Sequence, residues 1–372
     1  MELQFVAPCL FGLESELSFE LKSMGAQNVQ AENGRVKFSG GPELLARANI
    51  RSAVAERVLL LLGEFEAHSF EELFQGVRRI PWADYIGKTD AFPVKGYALK
   101  SQLHSVPDCQ SIIKKAVVES LKESFRTDWF EETGQQFQIQ FSILKDRVSI
   151  MLDTSGWGLH KRGYRRDTGS EAPLKETLAA GIARLARVRE NSTVYDPCCG
   201  SGTLLIESAL KALNIAPGMR RRFVSEQWGF LPKDIFHAER QAAYTEVRRQ
   251  ADFRAFGFDV DEACAALTRE NLKKSGLASR GTVCAADVRN FAPETDSGIV
   301  LCNPPYGERL SDRKSCEELY AAMGQVFVPH PGFSYYIITS HEEFEKHFGR
   351  KADKKRKLYN GMIRCNLYMY FQ

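Results

Sequence analysis

No apolar run reaches the roughly 18 residues that a membrane-spanning helix needs, and the opening Met1 to Pro8 lacks the basic and apolar stretches of a secretory signal. The nine cysteines are odd in number and scattered, with no CxxC pair and no Cys/His quartet at zinc spacing. That argues against a disulfide framework and for reduced thiols in a cytoplasmic protein. The seven histidines, His160 and His341 among them, also lack ligand spacing, so no metal is expected. There is no internal repeat and no low-complexity tract. A net charge of +3 is too small to imply nucleic acid by itself. What charge there is clusters at His160 to Arg166, Arg220 to Arg222 and Arg350 to Lys357. What remains is 372 residues of ordinary globular composition, 44% hydrophobic and 26% charged, enough for two or three domains.

The first half reads as a mixed α+β region with antiparallel pairing. A short apolar run at Phe5-Val6 is followed by helical spacing through Leu13, Leu17 and Leu21. Asn33-Gly34 then marks a hairpin, because both residue types tolerate positive φ. Residues 42 to 80 carry helical apolar spacing, including the run Val58 to Leu62. Phe92 to Leu99 predicts a strand, Asp108 to Phe125 a helix, and Phe137 to Leu152 a hairpin around Lys145-Asp146. From about residue 172 helices and short apolar strands alternate. Strands are expected at Thr193 to Tyr195, Ala255 to Phe258, Thr282 to Ala285 and Gly298 to Cys302. Helices are expected at Leu174 to Arg187, Thr203 to Leu213 and Glu262 to Lys274. Such alternation implies a parallel, doubly wound α/β sheet of Rossmann type, with ligands at the carboxyl ends of its strands. The boundary falls near residue 160.

Asp196-Pro197-Cys198-Cys199-Gly200-Ser201-Gly202-Thr203 joins the first of these strands to a helix. Gly200 and Gly202 allow a tight turn and close ligand approach, and the helix start offers free N–H groups to an anion. Asp196 in that turn would repel a pyrophosphate yet pair with a ligand ammonium. S-adenosylmethionine carries both a carboxylate and an ammonium, and is favoured. Asp259 follows the next strand, suited to ribose hydroxyls, and Asp287 the one after, suited to an adenine amino group. Asp196 and Asp259 stand 63 positions apart, so an insertion between about 214 and 250 is expected. Singly, each Asp reads better as a helix cap; three at successive strand ends read as a nucleoside-cofactor site.

The buried strand Ile299 to Cys302 ends in Asn303-Pro304-Pro305-Tyr306-Gly307, the most specific signal in the chain. Asn303 Oδ1 and the Pro304 carbonyl can each accept from an exocyclic base amine, whose lone pair would then face a methyl donor. Pro304 and Pro305 restrict φ and remove competing N–H donors. Tyr306 offers a ring to stack on a base. In isolation the same residues could be a structural turn. Cys302 reads as core rather than as a thiolate nucleophile.

These motifs resemble the class I methyltransferases of the THUMP-containing RNA guanine-N2 group. The likeness extends upstream to Gly158-Leu159-His160-Lys161-Arg162-Gly163-Tyr164-Arg165 and Ala172-Pro173-Leu174-Lys175-Glu176-Thr177, and downstream to Lys357-Leu358-Tyr359-Asn360-Gly361. It implies a ferredoxin-like region over 1–50, a THUMP RNA-binding domain over 51–158 and a class I catalytic domain over 159–372. It also implies an S-adenosylmethionine site at Asp196, Cys198, Gly200, Gly202, Asp259 and Asp287, with Leu174 in a prefix at the methionine end. The target amine would sit at Asn303, Pro304 and Tyr306. Lys161, Arg162 and Arg165 are expected on a phosphate track, with Lys354 to Lys357 rimming the mouth. The bacterial ribosomal enzyme of this type can carry a second methyltransferase domain after the first; here the chain stops at Gln372. The expected function is guanine-N2 methylation of RNA, ribosomal rather than transfer RNA. An adenine-N6 DNA methyltransferase and a transfer RNA guanine-N2 methyltransferase are the alternatives, and an assembly factor with a vestigial catalytic fold is a further reading.

Overall fold

A computed structural model describes residues 2–165, 174–307 and 310–372, without the side chains of 310 and 311. The first half contains β1 (Leu3–Pro8), α1 (Glu14–Ser23), β2 (Gln27–Glu32), β3 (Arg35–Gly40), α2 (Pro42–Arg51), β4 (Leu59–Glu66), α3 (Phe70–Arg78), β5 (Val94–Leu99), α4 (Val106–Phe125), β6 (Ile139–Leu144) and β7 (Arg147–Asp153). The strands form one seven-stranded sheet in the order β2-β3-β1-β4-β7-β6-β5. At the expected first hairpin only Gly34 adopts positive φ, at +74°. At the second, Lys145 and Asp146 both do, at +51° and +63°, which suits a two-residue turn between twisted strands.

Two expectations are corrected here. Val58 to Leu62 is not helical: its leucines enter β4, which pairs with β1 at Phe5↔Leu60 and Val6↔Leu59 and with β7 along its length. A short run of leucines has no period that separates helix from strand, and the waiting edges of β1 and β7 decide it. The pairing is also not wholly antiparallel, since β5 and β6 run parallel from Val94↔Ile139 to Leu99↔Leu144, with α4 as their crossover.

The second half contains α5 (Glu176–Leu185), β8 (Thr193–Asp196), α6 (Thr203–Ala212), α7 (Ile235–Thr245), β9 (Arg254–Asp259), α8 (Glu262–Ser275), β10 (Gly281–Ala285), β11 (Gly298–Cys302), α9 (Leu310–Phe327), β12 (Phe333–Thr339), α10 (Phe344–Phe348), β13 (Lys354–Asn360) and β14 (Ile363–Tyr370). Its sheet runs β10-β9-β8-β11-β12-β14-β13, parallel through β12, with β14 inserted antiparallel between β12 and β13. The chain-first strand, β8, lies in the middle. Its neighbours β9 and β11 therefore connect outward in opposite directions, leaving a crevice at their carboxyl ends.

The expected insertion is α7 and the turns around it, and it binds the two halves together. Arg47 Nε donates to Glu239 Oε2 at 3.0 Å and Arg51 Nη2 to Glu246 Oε1 at 3.1 Å, while the Gly218 N–H donates to the Ile50 carbonyl at 2.8 Å. One apolar core runs across the junction, from Leu13 and Leu17 to Leu178 and Ile182. Buried polar groups then fix the register. Glu20 accepts from Ser52 Oγ at 2.6 Å and from the Ala53 N–H at 2.9 Å, and stands 3.4 Å from Arg184 Nη1.

Arg162 belongs to this junction, which corrects its assignment to a phosphate track. Its side chain is 3% exposed; it faces Glu207 at 3.4 Å and donates to the carbonyls of Leu159 and, at 2.6 Å, of Ala53. Burial raises the Glu207 pKa, and Arg162 opposes that shift. Removing one member of such a pair strands the other charge. Arg162→Met should therefore cost about 3–5 kcal/mol of unfolding free energy, and adding Glu207→Leu should recover much of it. Urea denaturation checks both; a single-variant loss below about 1 kcal/mol would remove the pair from the junction's energetics.

Candidate active site

The turn after β8 is built from backbone amides and is held from two sides. The Cys198 N–H donates to Asp196 Oδ1 at 3.2 Å, the Cys199 N–H to the Phe258 carbonyl at 2.8 Å, and the Gly200 N–H to Asp259 Oδ2 at 2.9 Å. From α8, Thr268 Oγ1 donates to the Gly200 carbonyl at 2.8 Å and Asn271 Nδ2 to the Ser201 carbonyl at 2.9 Å. Gly200 and Gly202 sit at φ +53° and +78°. At Gly202 a Cβ would lie 2.6 Å from Thr268 Cγ2, whereas at Gly200 it would meet nothing within 4 Å. The turn is thus packed hard against α8 on one side and open on the other. α6 starts at Thr203 with no side-chain cap, so its first amides point into that opening.

Asp196 is 1% exposed, and among the described residues its one hydrogen bond is from the Cys198 N–H. Burial, with a smaller repulsion from Asp259, raises its pKa to about 8 against that bond. A buried carboxylate this poorly compensated fits a ligand that brings positive charge. Asp259, half-buried, also accepts from the Asp261 N–H at 3.1 Å and stands at the end of β9. Asp261 caps α8 by accepting from the Ala263 N–H at 2.8 Å, and Gly276 closes that helix at φ +77°. Asp287 accepts from the Arg289 N–H at 2.9 Å and pairs with its guanidinium at 2.7 Å; the backbone bond leads in lowering its pKa.

The end of β11 lies next to β8, with Val300 opposite Tyr195. Cys302 is fully buried beside Cys198, and burial leads in raising its pKa well above the usual thiol range, so it is core as expected. Asn303 is partly buried, and its Oδ1 accepts from the Tyr306 hydroxyl at 2.7 Å. Pro304 is buried and Pro305 exposed. The Pro305 carbonyl accepts from Tyr320 Oη at 2.6 Å, and Tyr320 meets Thr339 Oγ1 at 3.1 Å. Tyr306 departs from expectation: its ring packs on the core, near Asn360 and Cys365 of the β13–β14 hairpin, and is not held out for a base. A partly buried phenol keeps a partner for its O–H, and here that partner is Asn303.

Leu174 is buried, and its carbonyl accepts from Arg165 Nη1 at 3.0 Å. Arg165 also grips Glu176 through Nε and Nη2, at 3.0 and 2.5 Å, and reaches Thr203 Oγ1 at 3.3 Å. Its expected place on the phosphate track is corrected: it clamps the segment before α5 to the start of α6. Lys161 packs over the Trp157 ring at 5.2 Å. Arg356 is likewise turned inward, donating to the Gly12 carbonyl at 2.7 Å and Ser15 Oγ at 2.6 Å, while Lys354 and Lys357 remain exposed. Arg166 and Pro173 lie outside the described residues.

Sequence reasoning missed Thr268, Asn271 and Tyr320. The first two did leave a signal: polar residues three apart on a helix face that also buries Ala265 and Leu272. Tyr320 left none, since its partners come from two distant segments.

The fold and this crevice are those of a class I methyltransferase dependent on S-adenosylmethionine. Family models match the chain in three pieces: an RlmL ferredoxin-like domain over residues 4–59, a THUMP domain over 67–153, and an RMKL-like methyltransferase domain over 162–369. The chain belongs to the RMKL-like methyltransferase family. YpsC of Bacillus subtilis (strain 168), whose name marks RNA methyltransferase as a provisional assignment, is 41% identical over 98% of this chain and 95% of its own. The ribosomal RNA large subunit methyltransferase K/L of Cellvibrio japonicus is 33% identical over 99% of this chain, which spans only 51% of that protein. Among solved structures, SMU.472, a methyltransferase by provisional name, complexed with SAH, superposes with TM-score 0.94 at 39% identity, covering 100% of this chain and 98% of its own. A Listeria monocytogenes protein described as a predicted N6-adenine-specific DNA methylase gives 0.94 at 42%, covering 100% and 96%. Among the described residues, no helix is long and apolar enough to cross a membrane.

Because the Asp196 pKa is raised above its unfolded value, Asp196 contributes stability to the free protein below pH ~4, and loses it as pH rises towards 8. A cationic donor favours the carboxylate. Binding near pH 7 should therefore release close to one proton, and affinity should tighten as pH rises to about 8. Calorimetry in buffers of different ionisation enthalpy reads the proton directly. Asp196→Asn should abolish the release and weaken the donor by roughly tenfold or more; an unchanged release would place the titrating group elsewhere.

Proposed function

We propose that the chain methylates the exocyclic N2 amine of a guanine in RNA, with large-subunit ribosomal RNA as the favoured substrate. The observation that carries this reading is an Asn-Pro-Pro-Tyr turn ending β11 beside the buried Asp196 carboxylate, in a chain whose first half matches a THUMP domain. The names of the K/L relatives support ribosomal RNA over transfer RNA. The division at 1–50, 51–158 and 159–372, with the second part receiving RNA, belongs to the same reading.

Bound S-adenosylmethionine supplies an electrophilic methyl group. Asp196 would face its ammonium, the amides after Gly202 its carboxylate, Asp259 its ribose hydroxyls and Asp287 its adenine, with Cys198, Gly200 and Leu174 lining the space. Asn303 Oδ1 and the Pro304 carbonyl would each accept one hydrogen of the base amine and so orient its lone pair. An amide oxygen accepts two hydrogen bonds, so Asn303 can take the amine while keeping Tyr306. The reading that competes is adenine-N6 methylation of DNA, favoured by the description of the Listeria structure.

Labelled S-adenosylmethionine, offered with separate pools of ribosomal RNA, transfer RNA and DNA, tests the proposal when followed by nucleoside analysis. Methylguanine in ribosomal RNA is expected; label in DNA alone, or methyladenine, overturns it. Asn303→Ala should lower transfer by about 100-fold or more while donor affinity changes little. Equal loss of both would mean that the turn serves the donor instead.

A further inference from the structure

The histidines dismissed on spacing meet in three dimensions. Glu317 projects from α9, His341 and Glu343 follow β12, and His347 lies in α10. Glu317 Oε1 stands 3.4 Å from His341 Nε2 and 3.6 Å from His347 Nε2, and one ligand atom each of Glu317, Glu343 and His347 lie within 4.8 Å of one another. His341 is 7% exposed, yet neither of its ring nitrogens has a hydrogen-bond partner among the described residues. The same holds for His347 Nε2.

An imidazole buried this deeply normally finds a partner for both nitrogens. A simple His–Glu ion pair does not explain the arrangement. The contacts to Glu317 lack hydrogen-bond geometry, and both His341 ring nitrogens are buried without a partner among the described residues, a cost that a ligand at Nε2 would relieve. In a tetrahedral site with metal–nitrogen and metal–oxygen distances near 2.0–2.1 Å, adjacent ligand atoms are about 3.3 Å apart. The two Glu317–His separations already approach that edge. Imidazole with carboxylate is a donor set for a borderline divalent ion, and two glutamates balance its charge.

We propose that Glu317, Glu343 and His347 bind one divalent transition cation of the zinc class, with the His341 imidazole, 3.4 Å from Glu317, moving in as the fourth ligand. At present Arg313 lies 3.3 Å from Glu317 and 3.8 Å from Glu343, and Lys346 lies 3.2 Å from Glu343. Both cations are more than half exposed and can swing into solvent when the ion enters. The site adjoins the catalytic turn. The His341 ring meets Tyr320 edge-on at 5.5 Å, and Tyr320, one helical turn beyond Glu317, holds the Pro305 carbonyl. An ion here ties α9, α10 and the end of β12 behind that carbonyl, a structural rather than a chemical service.

Co²⁺ titrated into the full-length, chelator-stripped protein tests this without reference to activity. One equivalent should give the visible ligand-field bands of a tetrahedral N/O site, and Zn²⁺ should bleach them and raise the melting temperature. His347→Ala should weaken binding by at least about tenfold, and Glu343→Gln, at a half-exposed position that folding should tolerate, should weaken it too. Absence of bands overturns the proposal. So do bands that survive in both variants, or intense thiolate charge-transfer bands, which would place the ion on cysteines such as Cys316.

Discussion

A carboxylate that the protein itself leaves almost unanswered sits at the end of β8, and the catalytic half is arranged around it. Asp196 ends the central strand where the strand order reverses, so β9 and β11 bring Asp259 and Asn303 to the same edge. Among the described residues Asp196 is answered by a single amide at 3.2 Å, while other amides of the turn go to Asp259 and to the carbonyls of Cys199 and Phe258. α8 then locks that geometry through Thr268 and Asn271. A carboxyl held this rigidly and this dry stays largely a neutral acid in the free protein near pH 7. A ligand cation would favour its ionised form, and on the proposed reading this would select a sulfonium amino acid over a pyrophosphate at a turn whose glycines would suit either.

The N-terminal half is fixed to this crevice by more than contact area. β4 joins both parts of that half into one sheet, and α7 and the buried groups around Glu20, Glu207 and Arg162 key the sheet to the catalytic domain. Polar groups buried at a junction cost free energy when mispaired, so they penalise every docking except the one that satisfies them. If, as proposed, the N-terminal module receives RNA and the crevice one of its bases, the two must keep a constant separation, and such keyed burial would provide it. Arg162, which a reading of local charge assigns to phosphate, is consumed in building this ruler.

That reassignment marks where the sequence is legible and where it is not. The strand–turn–helix around Gly200, the cap and stop of α8, and the β11 boundary at Cys302 are local: each follows from residues within one turn of the feature. The β4 leucines, the parallel β5–β6 pair and the inward turn of Arg162 and Arg356 depend on partners 40 to several hundred positions away, about which local charge and periodicity carry no information. An exposed arginine and a buried, paired one look alike in a basic cluster, because what differs is the acid across the fold. The insertion could be located from the 63-residue gap between Asp196 and Asp259, but not its packing against α2.

The same limit bears on substrate choice. The amines of guanine N2 and adenine N6 present the turn with the same two N–H donors and the same delocalised lone pair. On the proposed reading, Asn303 and Pro304 would therefore specify the reacting group and not the base. Discrimination has to come from the ring edge beyond the amine, or from whatever presents the nucleotide. Tyr306 is turned onto Asn303 and the β13–β14 hairpin, an orientation that would rigidify the acceptor. On the proposed reading, selection between polymers would then fall more on the N-terminal sheet and its keyed junction than on the turn after β11.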